Sequence, residues 1–550
     1  MNKDYDITID PKHKYRGFDL QTQLIDVECT CKGETEVACK VILPIGINTA
    51  PVIVYNNCKR TLAAAFKRQL QQARPPDPKL KDDIQNYQQW FFDTYILEHL
   101  TTFTYSYTDW YNSLTRSKQD ALDRCAKDDS SLLSNEYGLF CKREKQEEGG
   151  KNRAISSISQ TTKYVMGPIT WQLEYIFDQF VPGYCGSANW TQQEQFLEEA
   201  HAAGYIHVIQ GDASGFDRCQ HNDLKYIDRL VYSYIADQGK VHHVDANIFK
   251  TVACALERRL KASYYVRGRT VTLGTATVQG TVFSGSSDTT LMNTLRMIIY
   301  NMYTLHKAGL EYKTDYLIKV KGDDFLILMK DKIKHDTIYY KYWLPAQTNT
   351  ALYTGAPFGI GQILKFLTVG DYSSIDFCST TVIPFDRGRK FKIARKPDRM
   401  DPLSHYSRVA LRMSAGELKQ YYIDLAMSIT SAMAGMPFYQ GYADAYNYHA
   451  QHIKATPTRL SNGRPRLVLK SDQYHGSRTI ETVTEESPYA NYGRDFTEGL
   501  RLRQSCARPS DDEVYSHLRT RYGLTKLDIT LHAKSLIGGR LYDHISGNIG

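Results

Sequence analysis

Asp323 and Asp324 follow Gly322 at the junction of two apolar runs, YLIKVK and FLILM, and Asp212 closes a third run, Tyr205 to Gln210, far earlier in the chain. Bringing these carboxylates together would crowd like charges onto one small site, which is expensive unless a cation compensates. Hard oxygen ligands suit Mg²⁺ or Mn²⁺. Two such ions roughly 3.5 to 4 Å apart can activate an attacking hydroxyl and steady a leaving pyrophosphate in line. That is nucleotidyl-transfer chemistry. Adjacent aspartates alone more often mark a solvated turn, so the surrounding pattern must decide.

The elements that would carry these acids are legible. Tyr316 to Met329 divides into two strands around Gly322-Asp323-Asp324, the pattern of a buried hairpin with a tight turn. Tyr205 to Gln210 predicts a strand, and Leu224, Ile227, Val231 and Tyr234 after Asp217 predict an amphipathic helix. Thr289 and Asn293 are four apart, so a helix starting near Asp288 puts both on one face, preceded by Ser284 on a loop that Gly285 makes mobile. Upstream, Arg74-Pro75-Pro76-Asp77-Pro78 breaks the chain before a helix over Asp83 to His99, with Tyr87, Trp90, Phe91 and Ile96 facing inward. Glu147-Glu148-Gly149-Gly150, flanked by Lys142, Arg143 and Lys145 and then by Lys151 and Arg153, predicts a basic loop or hairpin.

Taken in order, Phe140-Cys141-Lys142 to Lys151-Asn152-Arg153-Ala154-Ile155, then Asp212-Ala-Ser-Gly-Phe-Asp217, Ser284-Gly285 to Asn293, the Gly322-Asp323-Asp324 hairpin and Ile375-Asp376-Phe377-Cys378-Ser379 resemble the five motifs of viral RNA-dependent RNA polymerases. The nearest patterns are the positive-strand enzymes of the tombusvirus, nodavirus and flavivirus types. The resemblance covers roughly Phe140 to Arg399.

The resemblance implies that Asp212, Asp323 and Asp324 bind two Mg²⁺ ions, replaceable by Mn²⁺, and that Lys365 is the general acid for the leaving pyrophosphate. It places Arg153 foremost, with Lys151, Lys142, Arg143 and Lys145, on the incoming nucleotide. Asp217, Ser284, Thr289 and Asn293 would form a polar network around the ribose, which rejects a deoxyribose by leaving buried groups unpaired. Gly285 and the basic Arg387, Arg389, Lys390 and Arg395 would lie along RNA. Cys141 and Cys378 are read as packing residues, and Cys29, Cys31, Cys39 and Cys58 as free thiols, because C-x-C with wide gaps fits no common zinc spacing.

The expected fold class is α+β: a right-hand polymerase with an antiparallel palm sheet backed by helices, fingers and a mostly helical thumb. The expected division is an N-terminal segment and fingers over 1–204, palm over 205–235 and 281–390, a fingers insert over 236–280, and thumb and tail over 391–550. The chain's 550 residues allow three or four folding units, and 42% hydrophobic with 23% charged residues excludes long disorder, collagen-like repeats and coiled-coil rods. A net charge of +8 favours a polyanionic partner only mildly. Eleven scattered cysteines and an N-terminus without a secretory pattern predict a reducing, intracellular setting. The most apolar stretch, Leu425 to Phe438, is too short and too interrupted to span a membrane. The implied partners are RNA template and product, ribonucleoside triphosphates and other viral replication proteins, in the cytoplasm of an infected host cell, with any membrane attachment made through those partners. Two rival readings stay open: a reverse transcriptase, and a non-catalytic RNA-binding scaffold with a degenerate palm.

Overall fold

The computed structural model describes residues 40–44, 52–53, 59–70, 73–142, 146–147, 153–186, 189–266, 269–345, 359–401, 403–407, 410, 413–433, 435–457 and 507–538. Within them the chain is a mixture of helices and mostly antiparallel sheets.

The elements of the central layer are, in chain order, strand β1 (His207–Ala213), helix α1 (Tyr226–Asp237), helix α2 (Thr289–His306), and strands β2 (Tyr316–Lys321), β3 (Asp324–Met329), β4 (Leu344–Pro345) and β5 (Ile363–Gly370). The five strands form one sheet in the order β4-β5-β1-β3-β2. Every pairing is antiparallel except β4 with β5.

The β2–β3 hairpin falls where the alternation and glycine place it. Lys321 and Asp324 face each other, leaving a two-residue turn of Gly322 and Asp323. Gly322 stands at φ 65°, a conformation that costs glycine little. β3 has an almost continuous apolar run, Phe325 to Met329, because helices cover one face of the sheet while the hairpin over 376–395 and the C-terminal helices cover the other.

α2 is the axis of the larger core. Every residue from Leu291 to Leu305 is buried; of its polar members Thr294 and Thr304 donate to the carbonyls four residues back, and Asn301 donates to Met297. The helix Pro78–Tyr95, capped by Asp77 and started by Pro78, lays Ile84, Tyr87, Phe91 and Phe92 against α1 and α2. Trp90, expected to face inward, is exposed instead.

A second sheet takes the order 154–157, 136–141, 257–266, 269–279, so the segment between α1 and α2 pairs with strands of the N-terminal half rather than with the central sheet. The third sheet joins Asp376–Phe377, Thr380–Phe385 and Lys390–Arg395. The expected boundary after 390 lies one residue into the second long strand of this hairpin. The helices Ala415–Met433, Tyr439–His452, Asp511–Tyr522 and Lys526–Gly538 pack against this hairpin in a separate apolar cluster. Most of the stretch Leu425 to Phe438 lies in the first of them, and no helix among the described residues is long and apolar enough to cross a membrane.

Candidate active site

Asp212 and Asp324 are direct cross-strand partners at one end of the central sheet, and Asp323 stands on the adjoining turn. The pleat thus brings together acids that lie far apart in the chain. Asp323 is accessible at the tip of the turn, yet desolvation by the surrounding protein and the charges of Asp324 and Asp212 push its carboxyl up to about 7. Asp217 adds to that repulsion, which places it on the same side of the site. Asp324 is pushed up to about 6 by burial and by Asp212, against the opposing influence of Cys378 and Lys365. The donor set is entirely oxygen and electrostatically strained, which is what a pair of hard divalent cations would relieve.

Lys365 reaches the same cluster through an irregularity in β5. Leu364 faces Ala213 and Phe366 faces Asp212, so Lys365 is the extra residue of a β-bulge. Two successive residues, Lys365 and Phe366, consequently lie exposed, and the Lys365 ammonium sits 2.7 Å from Asp212 Oδ2. Gly211 makes room for this arrangement. A Cβ there would lie 2.9 Å from the Phe366 carbonyl oxygen and 2.5 Å from the Phe325 ring.

Cys378 is more than the packing residue its sequence context predicts. Its backbone and its thiol favour the charged form of the Asp324 carboxylate. Cys378 and Ser379 form the two-residue turn between Phe377 and Thr380, with φ of 53° and 60°. Burial, followed by the Asp324 charge, raises the thiol's pKa well above its ordinary value, so Cys378 stays a neutral thiol beside the acids.

Beside the acids lies a polar chain. Ser284 Oγ donates to Asp217 Oδ2 at 2.6 Å, and Asn293 Nδ2 donates to Asp217 Oδ1 at 2.5 Å. Arg296, one turn along α2 and 1% exposed, donates from Nη2 to Asn293 Oδ1 at 2.6 Å and from Nη1 to Asp228 of α1. Because the guanidinium occupies the amide oxygen, the Asn293 N–H₂ is the end turned to Asp217. Thr294, the next residue after Asn293, accepts a 2.9 Å hydrogen bond from the Gly322 N–H and so ties α2 to the acidic turn. Thr289 belongs to this helix but uses its hydroxyl on the Phe283 carbonyl, closing the loop over 283–288 rather than joining the Asp217 chain.

Under this chain lie buried charges. Lys225, Arg258 and Arg296 face Asp228 and Asp288. Burial raises the Asp228 carboxyl, with Arg296 opposing. Burial also works against the Asp288 charge, but Arg258 and the Ser286 hydroxyl overcome it and hold this carboxyl below its ordinary range. Burial and then Arg258 pull Lys225 down to about 7.

The basic strand pair lies next to the Ser284 loop. Lys142 N–H donates to the Arg153 carbonyl, and the strand beginning at Ala154 meets Gly285. A Cβ at Gly285 would stand 2.2 Å from the Ser156 carbonyl oxygen and 3.0 Å from Ile155 Cγ2, so this glycine answers a close approach of two backbones. Gly285→Ala should therefore force the loop away from the strand, costing about 1–3 kcal/mol of stability. Thermal unfolding checks this; a wild-type midpoint would mean that the two segments part freely. Arg143, Lys145 and Lys151 lie outside the described residues, as do Cys29, Cys31, Cys39, Cys58 and the C-terminal SGNIG.

The four basic residues expected along RNA are split. Arg395 pairs with Thr380, at the end of the hairpin that carries Cys378. Arg387, Arg389 and Lys390 lie at or beside the opposite turn, six strand residues or ~20 Å away. There Arg389 forms an ion pair with Asp386, whose N–H is held by Glu513 of the helix Asp511–Tyr522.

Arg296, Thr294 and Cys378 are the positioning groups that motif reading missed. Arg296 alone left a trace, a single charge in the otherwise apolar stretch around LRMIIY. Comparison with protein-family models and with curated proteins returns no match, so what the site does is argued from these residues and their geometry.

Proposed function

We propose that this chain is an RNA-dependent RNA polymerase of right-hand architecture, adding ribonucleoside monophosphates to an RNA 3′-hydroxyl during replication of a viral RNA genome. In this reading the central sheet with α1 and α2 is the palm, the sheet over 136–279 belongs to the fingers, and the C-terminal helices form the thumb. The carrying observation is that Asp212 and Asp324 pair across two strands beside Asp323, next to a Ser284–Asp217–Asn293 chain anchored from beneath by Arg296.

Asp212, Asp324 and Asp323 would hold the cations. Two Mg²⁺ ions bound there would supply Lewis-acid activation of the 3′-hydroxyl and charge neutralisation on the phosphates. In the reaction the 3′ oxygen forms a bond to the α-phosphorus, the α–β phosphoanhydride breaks, the hydroxyl proton passes to water, and Lys365 is placed to return a proton to the departing pyrophosphate. Cys378 favours the charged form of Asp324 that a cation needs. The Asp217 chain offers a 2′-hydroxyl donors and an acceptor that a deoxyribose leaves unmatched. Template, product and other replication proteins are its proposed partners, in the cytoplasm of an infected cell.

Full-length chain, a primed and an unprimed RNA template, Mg²⁺ and either ribo- or deoxyribonucleotides provide the test. Template-dependent extension with ribonucleotides is the expected result. Preferential use of deoxyribonucleotides would establish a reverse transcriptase, and no incorporation in any arm would leave an RNA-binding scaffold.

A further inference from the structure

A second cluster of ligating groups lies remote from the acids. Asp401, His405 and His532 each present one ligand atom within 4.8 Å of the others. His405 is 1% exposed, and its Nδ1 lies 2.7 Å from the Pro44 carbonyl oxygen. An Nδ1–H donated to that carbonyl leaves the Nε2 lone pair facing the cluster. Nε2 then lies 2.8 Å from Asp401 Oδ1, yet both atoms are buried and neither has a hydrogen-bond partner. Two acceptors this close call for something positive between or beside them. His532 completes the triangle from the helix Lys526–Gly538, its Nε2 3.0 Å from the Tyr442 hydroxyl.

We infer that Asp401, His405 and His532 form a zinc site that clamps the C-terminal helical region. Two imidazole nitrogens and one carboxylate are a borderline-soft donor set that suits Zn²⁺ rather than Mg²⁺, and the partly exposed Asp401 side leaves room for a water as fourth ligand. Ligands at about 2.1 Å from a tetrahedral ion stand about 3.4 Å apart, so the triangle, whose atoms lie within 4.8 Å of one another, must close by up to about 1.4 Å while the 2.8 Å Asp401–His405 pair opens by about 0.6 Å. The Pro44 carbonyl is the outer partner that fixes one ligand's tautomer. The ion would link three pieces of chain: the strand at 40–41, stitched to 406–407; the turn over 401–405; and the last described helix. This site is independent of the polymerase reading.

The test uses the full chain, stripped by chelator and dialysed against Zn²⁺ in excess Mg²⁺, with bound zinc measured by mass spectrometry. Wild type should hold one equivalent more than His532→Ala and than Asp401→Asn, and zinc should raise its unfolding midpoint by several degrees but leave those of the variants unchanged. Co²⁺ in the wild type should give visible bands of a tetrahedral nitrogen–oxygen site without the thiolate charge-transfer absorption that cysteine ligands would add, a readout that needs no variant to fold. Equal zinc in wild type and variants, a midpoint indifferent to zinc, or Co²⁺ that stays octahedral would overturn the site and leave a plain imidazolium–carboxylate pair.

Discussion

Asp323→Asn is expected to lower nucleotide addition by roughly three orders of magnitude or more, the effect of losing several kcal/mol of charge stabilisation in the transition state. The neutral amide removes one carboxylate from the set that would hold the cations, while the basic strand pair is untouched. Template affinity, followed by fluorescence anisotropy, should stay within a few-fold of wild type. The same substitution removes a charge that desolvation and the neighbouring Asp324 and Asp212 disfavour, so the variant should unfold at or above the wild-type temperature in metal-free buffer. Loss of activity with gain of stability marks a functional acid. Elongation within tenfold of wild type would remove Asp323 from the site.

Arg296→Met carries the second large effect, in two separable parts. The guanidinium is the hydrogen-bonded partner of buried Asp228, and breaking such a pair by removing one member costs roughly 3–5 kcal/mol. Urea unfolding measures that part. The other part is chemical: without Arg296 on its oxygen, the Asn293 amide is free to turn, and ribose discrimination should fall about tenfold or more. The double variant Asp228→Asn/Arg296→Met separates them, because it removes the stranded charge without restoring the amide's anchor. Stability should return in large part and sugar discrimination should not. Discrimination that returned with stability would show that Arg296 only supports the fold.

What the sequence disclosed follows from the range of the interactions involved. The β2–β3 hairpin was legible because alternation and a turn glycine are local, and α1 because Ile227 and Val231 mark its buried face. The central acids were legible as residue types in order. The bulge at Lys365 was not, because it exists only as a mismatch between β5 and β1. Arg296 and Cys378 acquire their roles from partners on other elements, Asp228 and Asp324. The basic stretch after Pro384 was read by charge alone. Its FKIAR segment alternates into a strand with Phe391, Ile393 and Ala394 buried, and Lys392 turns inward to Glu194. Charge count overlooks such pairing.

The extra residue in β5 also dictates how this lysine is specified. Its aim depends on how many amino acids precede it between Gln362 and Phe366, as much as on being a lysine at all. Exchanging Leu364 and Lys365 would preserve composition and hydropathy while swinging the amine into the apolar interior that Leu364 now fills. Deleting Lys365 itself would heal the bulge, keeping Leu364 opposite Ala213 and Phe366 opposite Asp212, so the ladder would survive and the amine alone would be lost. The sheet can therefore do without this residue, and its presence there answers to the acids rather than to the strand.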